Sequence, residues 1–243
     1  MDITLNTHSL LRISIALLIG AILVFQLLNL TTTAIWHDEA FSGLLVEYEF
    51  GEMIDRIIKD VHPPLYYIIL KGWTSIIGNT VFNLRLFSLI FGLLTVLATY
   101  FLAKEVFQKK SIAILSSIFL LFSSFQIQNN MEARMYTLAT FFFIFSSYIL
   151  VKALKNQSLL LWLLYGVLVS ATLYTHYLTA FGIAAQLFFV LFWIIKDEKL
   201  HILSWIHNPT TKKALLSYGL SILLFLPWLP TFFAQLNQVQ TSF

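Results

Sequence analysis

Seven stretches of this chain, roughly 10–30, 82–103, 111–128, 133–151, 158–175, 178–195 and 214–234, are apolar. Each is close to the roughly 20 residues that a helix needs to cross a bilayer. No other feature restricts the fold as much. In hydrocarbon every backbone N–H and C=O must find its partner inside the segment, so runs of this kind become helices. A large soluble core is not an alternative explanation. Of 243 residues 58% are hydrophobic and 11% charged, where soluble domains carry roughly 25% charged residues. The expected class is an all-α, polytopic integral membrane protein. The first run, Ile13–Leu30, is eighteen residues long. It exceeds a signal-peptide core of roughly 7–15 residues, and no small-x-small cleavage pattern follows it. It is expected to stay as a membrane helix.

Orientation follows from the cations. With the N-terminus in the cytoplasm and the helices alternating, Arg12, Lys104, Lys109, Lys110, Lys152, Lys155, Lys196, Lys199, Lys212 and Lys213 lie inside, ten of the fifteen. Arg56, Lys59, Lys71, Arg85 and Arg134 lie outside, together with eight of the twelve acids. The expected location is the cell membrane, with the functional residues on the periplasmic or extracellular side. A net charge of +3 does not point to nucleic acid, because the cations are scattered in short loops and form no stripe. Cysteine is absent, which removes disulfides, thiolate nucleophiles and cysteine metal sites.

The first outer loop, about 31–80, has its own pattern. Phe41, Leu44, Leu45 and Tyr48 recur at helical spacing, and so do Met53, Ile54, Ile57 and Ile58 against Glu52, Asp55, Arg56 and Lys59. These read as short amphipathic helices lying in the interface. Pro63–Pro64 then breaks the chain, and 65–77 reads as a third such helix.

Alternation brings four polar clusters to this outer side: "WHDEA" (36–40), "KDVHPPLYY" (59–67), "NNMEARMYT" (129–137) and "LYTHY" (173–177). The helix centres read as apolar. Ionisable groups at membrane depth cost about 2.5–3.5 kcal/mol each on insertion scales, so their gathering calls for a function. Each cluster also has a plainer reading. Asp38 and Glu39 can cap a helix starting near Phe41. Asp60 and His62 can be turn residues, and His176 an interfacial histidine. Arg134 can snorkel or pair with Glu132, and Arg85 reads as a snorkelling anchor. Taken together the set suits glycosyl transfer. A carboxylate can accept a proton from an acceptor hydroxyl, while Arg134 and His176 can stabilise a departing phosphate. Trp36, Tyr66, Tyr67, Tyr136 and Tyr177 can stack on a sugar or flank a prenyl chain.

In their order, "WHDEAFSG", "DVHPPLYY", "EARMYTL", "THY" and "LPWLP" resemble the GT-C glycosyltransferases, in the bacterial and archaeal branch related to protein O-mannosyltransferases and lipid A aminoarabinose transferases. The resemblance implies a polyprenyl-phosphate sugar as donor, inversion at the anomeric carbon and no nucleotide sugar, with no cofactor and no metal. It puts the catalytic base at Asp38 with Glu39 beside it, and donor-phosphate binding at Arg134, His176 and Tyr177. Asp60, His62, Glu132, Tyr136 and Arg85 would support them. Partners would be the lipid-linked donor, membrane lipids and an acceptor that is protein, lipid or glycan. Members of this family run to several hundred residues, so residues 1–243 are expected to be a single transmembrane module and the N-terminal part of a longer protein. Two rivals remain at this point. One is a transporter or flippase for lipid-linked sugars, which would place its polar groups near the bilayer midplane. The other is a divalent-ion site built from His37, Asp38, Asp60 and His62.

Overall fold

The structure, a computed structural model, describes residues 7–198 and 208–241. The Arg12 side chain and Lys199, both counted among the inner cations, lie outside the described residues. In chain order the helices are α1 (Thr7–Asn29), α2 (His37–Leu45), α3 (Phe50–Ile58), α4 (Leu65–Ile77), α5 (Val81–Phe107), α6 (Lys110–Leu121), α7 (Ser124–Asn130), α8 (Tyr136–Asn156), α9 (Leu159–Thr175) and α10 (Thr179–Glu198). After residues 199–207 come α11 (Pro209–Phe225), a 3-10 turn (Leu226–Trp228) and α12 (Leu229–Thr241). Helices are the only regular elements among the described residues.

All seven apolar stretches are helical, and the class is a polytopic membrane protein. Among the described residues four helical stretches are long and apolar enough to cross a membrane: Val81–Phe107, Tyr136–Asn156, Thr179–Lys196 and Pro209–Gln238. The pair α6–α7 adds a fifth if counted as one span. The sequence reading of seven spans is reduced for two reasons. The described apolar part of α1, Ile13–Asn29, and α9 fall just short of that length, and the third stretch is broken by a 61° bend. Neither proline nor glycine stands at the bend. Ser123 adopts extended backbone as the N-cap of α7 (φ −65°, ψ 125°), which turns α7 back against α5.

The bundle is held by α5 along α8, α8 along α9, α9 along α11, and α6 and α7 on α5. At the end where α5 and α8 stop, the same device terminates both. Gln108 and Gln157 take left-handed backbone (φ 54° and 52°). Each side-chain amide donates to the carbonyl three residues back, at 2.6 Å to Glu105 O and 2.8 Å to Leu154 O. These contacts occupy last-turn carbonyls that the helix itself leaves without donors.

The helix centres are not purely apolar, contrary to the sequence reading. Gln186 of α10 accepts from the Tyr165 hydroxyl (2.9 Å) and donates to the Ser146 and Ser147 hydroxyls (3.0 and 2.8 Å). Tyr165 also bonds the Tyr218 hydroxyl at 2.9 Å, so one amide ties α8, α9, α10 and α11. Such links serve as interhelical glue where water is absent. A second amide group joins α1 to α7. Asn130 Nδ2 donates to Gln26 Oε1 and Gln126 Nε2 donates to Asn130 Oδ1, both at 2.7 Å. It fits because position 92 on α5 has no Cβ: one built there would fall 1.8 Å from Asn130 Oδ1. Gly92→Ala is therefore expected to cost about 1–3 kcal/mol, as overpacking does. Thermal unfolding of the detergent-solubilised protein, followed by tryptophan fluorescence, reads this, and an unchanged midpoint would show that the amides simply move aside.

The loop 31–80 is the structured part that sequence periodicity indicated. Its third helix is α4, over the expected residues. Leu45, Met53, Ile57, Tyr66, Tyr67 and Leu70 face inward and pack with Leu84, Phe87 and Leu138 from the first turns of α5 and α8. Lys71 of α4 donates to Val46 O (2.9 Å) and Tyr48 O (2.7 Å), pinning α4 to the carbonyl end of α2. One expectation needs correction. α2 starts at His37 and Trp36 is its N-cap, so Asp38 and Glu39 lie within the first turn and Asp38 is not the cap.

Candidate active site

The four polar clusters meet at one end of the bundle, and a buried ion pair fixes their frame. Glu39 is 0% and Arg85 2% exposed. Arg85 Nε and Nη2 donate to the two Glu39 oxygens at 2.8 and 2.7 Å, a planar fork on a planar carboxylate. The remaining Arg85 hydrogens go to Leu30 O (2.7 Å), Thr33 O (3.0 Å) and Ala34 O (3.2 Å). Glu39 also accepts from Ala133 N at 2.8 Å and from Trp36 N at 3.4 Å. Four segments converge on two side chains: the link after α1, the start of α2, the first turns of α5, and the loop before α8. Burial alone would raise the Glu39 carboxyl, but the Arg85 guanidinium and the Ala133 and Trp36 N–H groups outweigh it and hold it below its ordinary value. Arg85 is thus no snorkelling anchor. Its partner stands 46 residues away in sequence, where inspection of its apolar neighbours does not find it.

On this frame stand Asp38 and Arg134. The Arg134 side chain, 3% exposed, donates to Asp38 O at 3.2 Å and lies 3.5 Å from Asp38 Oδ2. Its Nη2 also approaches His62 Nε2 at 3.4 Å. His62 Nδ1 is 2.8 Å from Asp60 Oδ2, which makes Nδ1 the protonated nitrogen and leaves the Nε2 lone pair toward Arg134. Burial would raise the Asp60 carboxyl, but the hydrogen bonds from the His62 ring and the Val61 N–H, with the Arg134 guanidinium beyond them, keep it low. The order in space is Asp60, His62, Arg134, Asp38. Asp38 keeps 38% of its side chain exposed and also meets His37 Nδ1 at 3.4 Å. Arg134 Nε is buried without a partner.

His176 follows α9 and packs its ring, tilted by 43° and 5.8 Å between centroids, against Tyr136, whose ring lies 5.9 Å from the Arg134 guanidinium carbon. Burial, with His62 and Arg134 nearby, pushes the His176 imidazole below its ordinary value, so it is neutral near pH 7. His176 and Tyr136 line a groove of about 640 Å³ between α7, α8 and the start of α10. Phe125, Ala139, Phe143 and Leu178 give the groove apolar walls, while Trp36, Gln128, Asn129 and Glu132 make one side polar. Gly182 lets the Phe143 ring pack directly on α10, since a Cβ there would stand 2.5 Å from it. Tyr177 is placed differently from the expectation. Its hydroxyl accepts from Trp228 Nε1 (2.8 Å) and donates to Gln235 Oε1 (2.5 Å), and burial pushes it up to about 12. His37, Asp38, Asp60 and His62 do not converge as ligands: among the described residues no three acids or histidines stand close enough to hold a metal ion.

The profile of the dolichyl-phosphate-mannose-protein mannosyltransferase family matches residues 61–231, most of the chain. The chain belongs to this family. It is a membrane glycosyltransferase of the GT-C type, and the family implies a lipid-linked sugar donor. No curated protein and no solved structure matches it. The matched region includes His62, Arg85, Glu132, Arg134, Tyr136, His176 and Tyr177, and begins beyond Asp38, Glu39 and Asp60. One residue of this transferase's site has no counterpart in the sequence reading. Gln235, in α12, joins Tyr177 to the turn that carries His62. One glutamine in a helix that also carries Asn237, Gln238 and Gln240 gives no local signal of that role.

Proposed function

We propose that this transferase moves a sugar from a polyprenyl-phosphate donor to an acceptor hydroxyl or amine at the outer face of the membrane, with inversion at C1 and Asp38 as general base. The observation that carries this is the division of labour among the gathered acids. Both Glu39 oxygens are taken by Arg85 and Ala133, and Asp60 is taken by His62, whereas Asp38 remains partly exposed beside a buried guanidinium. The acceptor heteroatom attacks C1, the C1–O bond breaks, and polyprenyl phosphate leaves with the electron pair. A carboxylate is a weak base toward an alcohol, so the proton passes to Asp38 late, as the leaving bond opens.

The groove suits the donor. A prenyl chain would lie along Phe125, Phe143 and Leu178, with its phosphate at the His176 and Tyr136 end. Neutral His176 can offer a ring hydrogen bond there, and Arg134 adds charge from one ring's width away. Glu39 and Arg85 position Asp38 and touch no substrate. Membranes containing the protein should transfer label from a polyprenyl-phosphate hexose to an endogenous acceptor. Labelled lipid that crosses the bilayer without sugar transfer would replace this reading by that of a flippase.

The outer placement rests on the cation distribution and has its own test. The chain lacks cysteine, so single replacements are readable. In intact cells Glu49→Cys should react with an impermeant thiol reagent, while Lys109→Cys and Lys196→Cys stay shielded. Reversed labelling would move the site to the cytoplasmic face.

A further inference from the structure

The last described helix, α12, lies mostly beyond the family match, which ends at residue 231, yet it reaches into the site. Gln235 is 2% exposed. Its Nε2 donates to Ile57 O at 2.9 Å and to His62 O at 3.4 Å. Its Oε1 accepts the Tyr177 hydroxyl, which is itself held by Trp228 Nε1. One amide therefore joins the turn between α3 and α4, the turn between α9 and α10, and α12. The two turns carry Asp60 with His62, and His176. The "LPWLP" segment makes this possible: the 3-10 turn at Leu226–Trp228 delivers Trp228 against Tyr177 and starts α12 toward the loop. Both the nitrogen and the oxygen of the amide are thus engaged, and at His62 the contact is to the main-chain carbonyl, whereas Arg134 meets the ring nitrogen.

We propose that Gln235 is a positioning residue for transfer, holding the His62 backbone so that the imidazole stays between Asp60 and Arg134 and Arg134 stays on Asp38. It touches no reacting atom. Its effect passes through His62, and this inference rests on the transferase reading above only for its kinetic consequence. Misplacing a supporting group by an ångström can cost about a hundredfold in rate. Removing this amide should lower kcat about ten- to a hundredfold and leave the donor KM near the parent value, because the groove that holds the prenyl chain contains no atom of Gln235.

The test uses the full chain in detergent or nanodiscs with two variants, Gln235→Met, of similar length without the amide, and Gln235→Asn, which keeps the amide but is too short to span the turns. Gln238→Ala is the control, since Gln238 donates to Lys59 O at 3.2 Å from the same helix without reaching His62. Two quantities are read: transfer kinetics, and the ring nitrogen NMR shifts of His62, assigned by the signal that disappears in His62→Gln. Both Gln235 variants should move the His62 ring signals and lower kcat at constant donor KM, and the Gln235→Met effect should vanish in the His62→Gln background. Gln238→Ala should do neither. Unmoved His62 signals, or equal rate losses with and without His62, would overturn the proposal. Shifted signals in a protein whose parent transfers no sugar would instead uphold the positioning role and discard the transferase chemistry assigned to the site.

Discussion

Asp38→Asn is expected to lower turnover about 10²–10⁴-fold, the range for loss of a general base, with donor binding nearly unchanged. The substitution keeps the size of the side chain and one accepting oxygen, which can face either Arg134 or His37, and removes the basic carboxylate. The structure makes this a cleaner experiment than the sequence does. The N-cap of α2 is Trp36, so Asp38 has no capping bond to lose, and the backbone carbonyl that receives Arg134 is untouched. Turnover and labelled-donor binding are measured on the same preparation. Normal turnover would strip Asp38 of its proposed role, and weakened binding at normal maximal rate would reassign it to donor recognition.

The second large effect is on stability. Arg85→Met should destabilise the protein by about 3–5 kcal/mol, because removing one partner of a buried pair leaves the other charge without compensation. It also strips the carbonyls of Leu30, Thr33 and Ala34 of a donor. Glu39→Gln should fall in the same direction by less, since an amide can still accept from Ala133. The double variant should be more stable than the sum of the two losses predicts, the mark of residues sharing one interaction. Denaturant or thermal unfolding in detergent reads all three, and strict additivity would show that the pair is not coupled. The pH dependence has a definite sign. The folded-state pKa of Glu39 is depressed, so its contribution is present above the ordinary carboxylate value and is lost as pH falls through the lower, folded value. Acid should therefore erode the difference between the parent and Glu39→Gln.

Much of this architecture is legible from one dimension because hydrophobic period and charge asymmetry are local signals. The apolar segments, the helix after Pro63–Pro64 and the meeting of the four clusters at one end all come from them. What escapes is long-range pairing. Arg85 looks like an interfacial anchor until Glu39 is known to face it, and Gln235 looks like an ordinary polar residue until two turns close around it. Gln186 and Gln26 escape for the same reason: single amides inside apolar runs reveal a partner only when helices are stacked. The bend before α7 has no proline or glycine to announce it, so 111–128 reads as one straight span. Tyr177 shares the "THY" motif with His176, but its ring turns toward Trp228 while His176 turns toward the groove.

The distance in sequence between the parts of the Asp38 environment also sets a timetable. Arg134 is 96 residues downstream of the aspartate it holds, and Arg85 is 46 residues downstream of Glu39. At synthesis rates of roughly 5–20 residues per second, Asp38 precedes its guanidinium by roughly 5–20 s. During that interval α2 is tethered first through Lys71 and Asn79 and then by the Arg85 fork as well. The nascent protein thus passes through a stage with Glu39 already on Arg85 and Asp38 still without its guanidinium, and both environments are completed only when the loop before α8, with Ala133 and Arg134, has been translated and inserted.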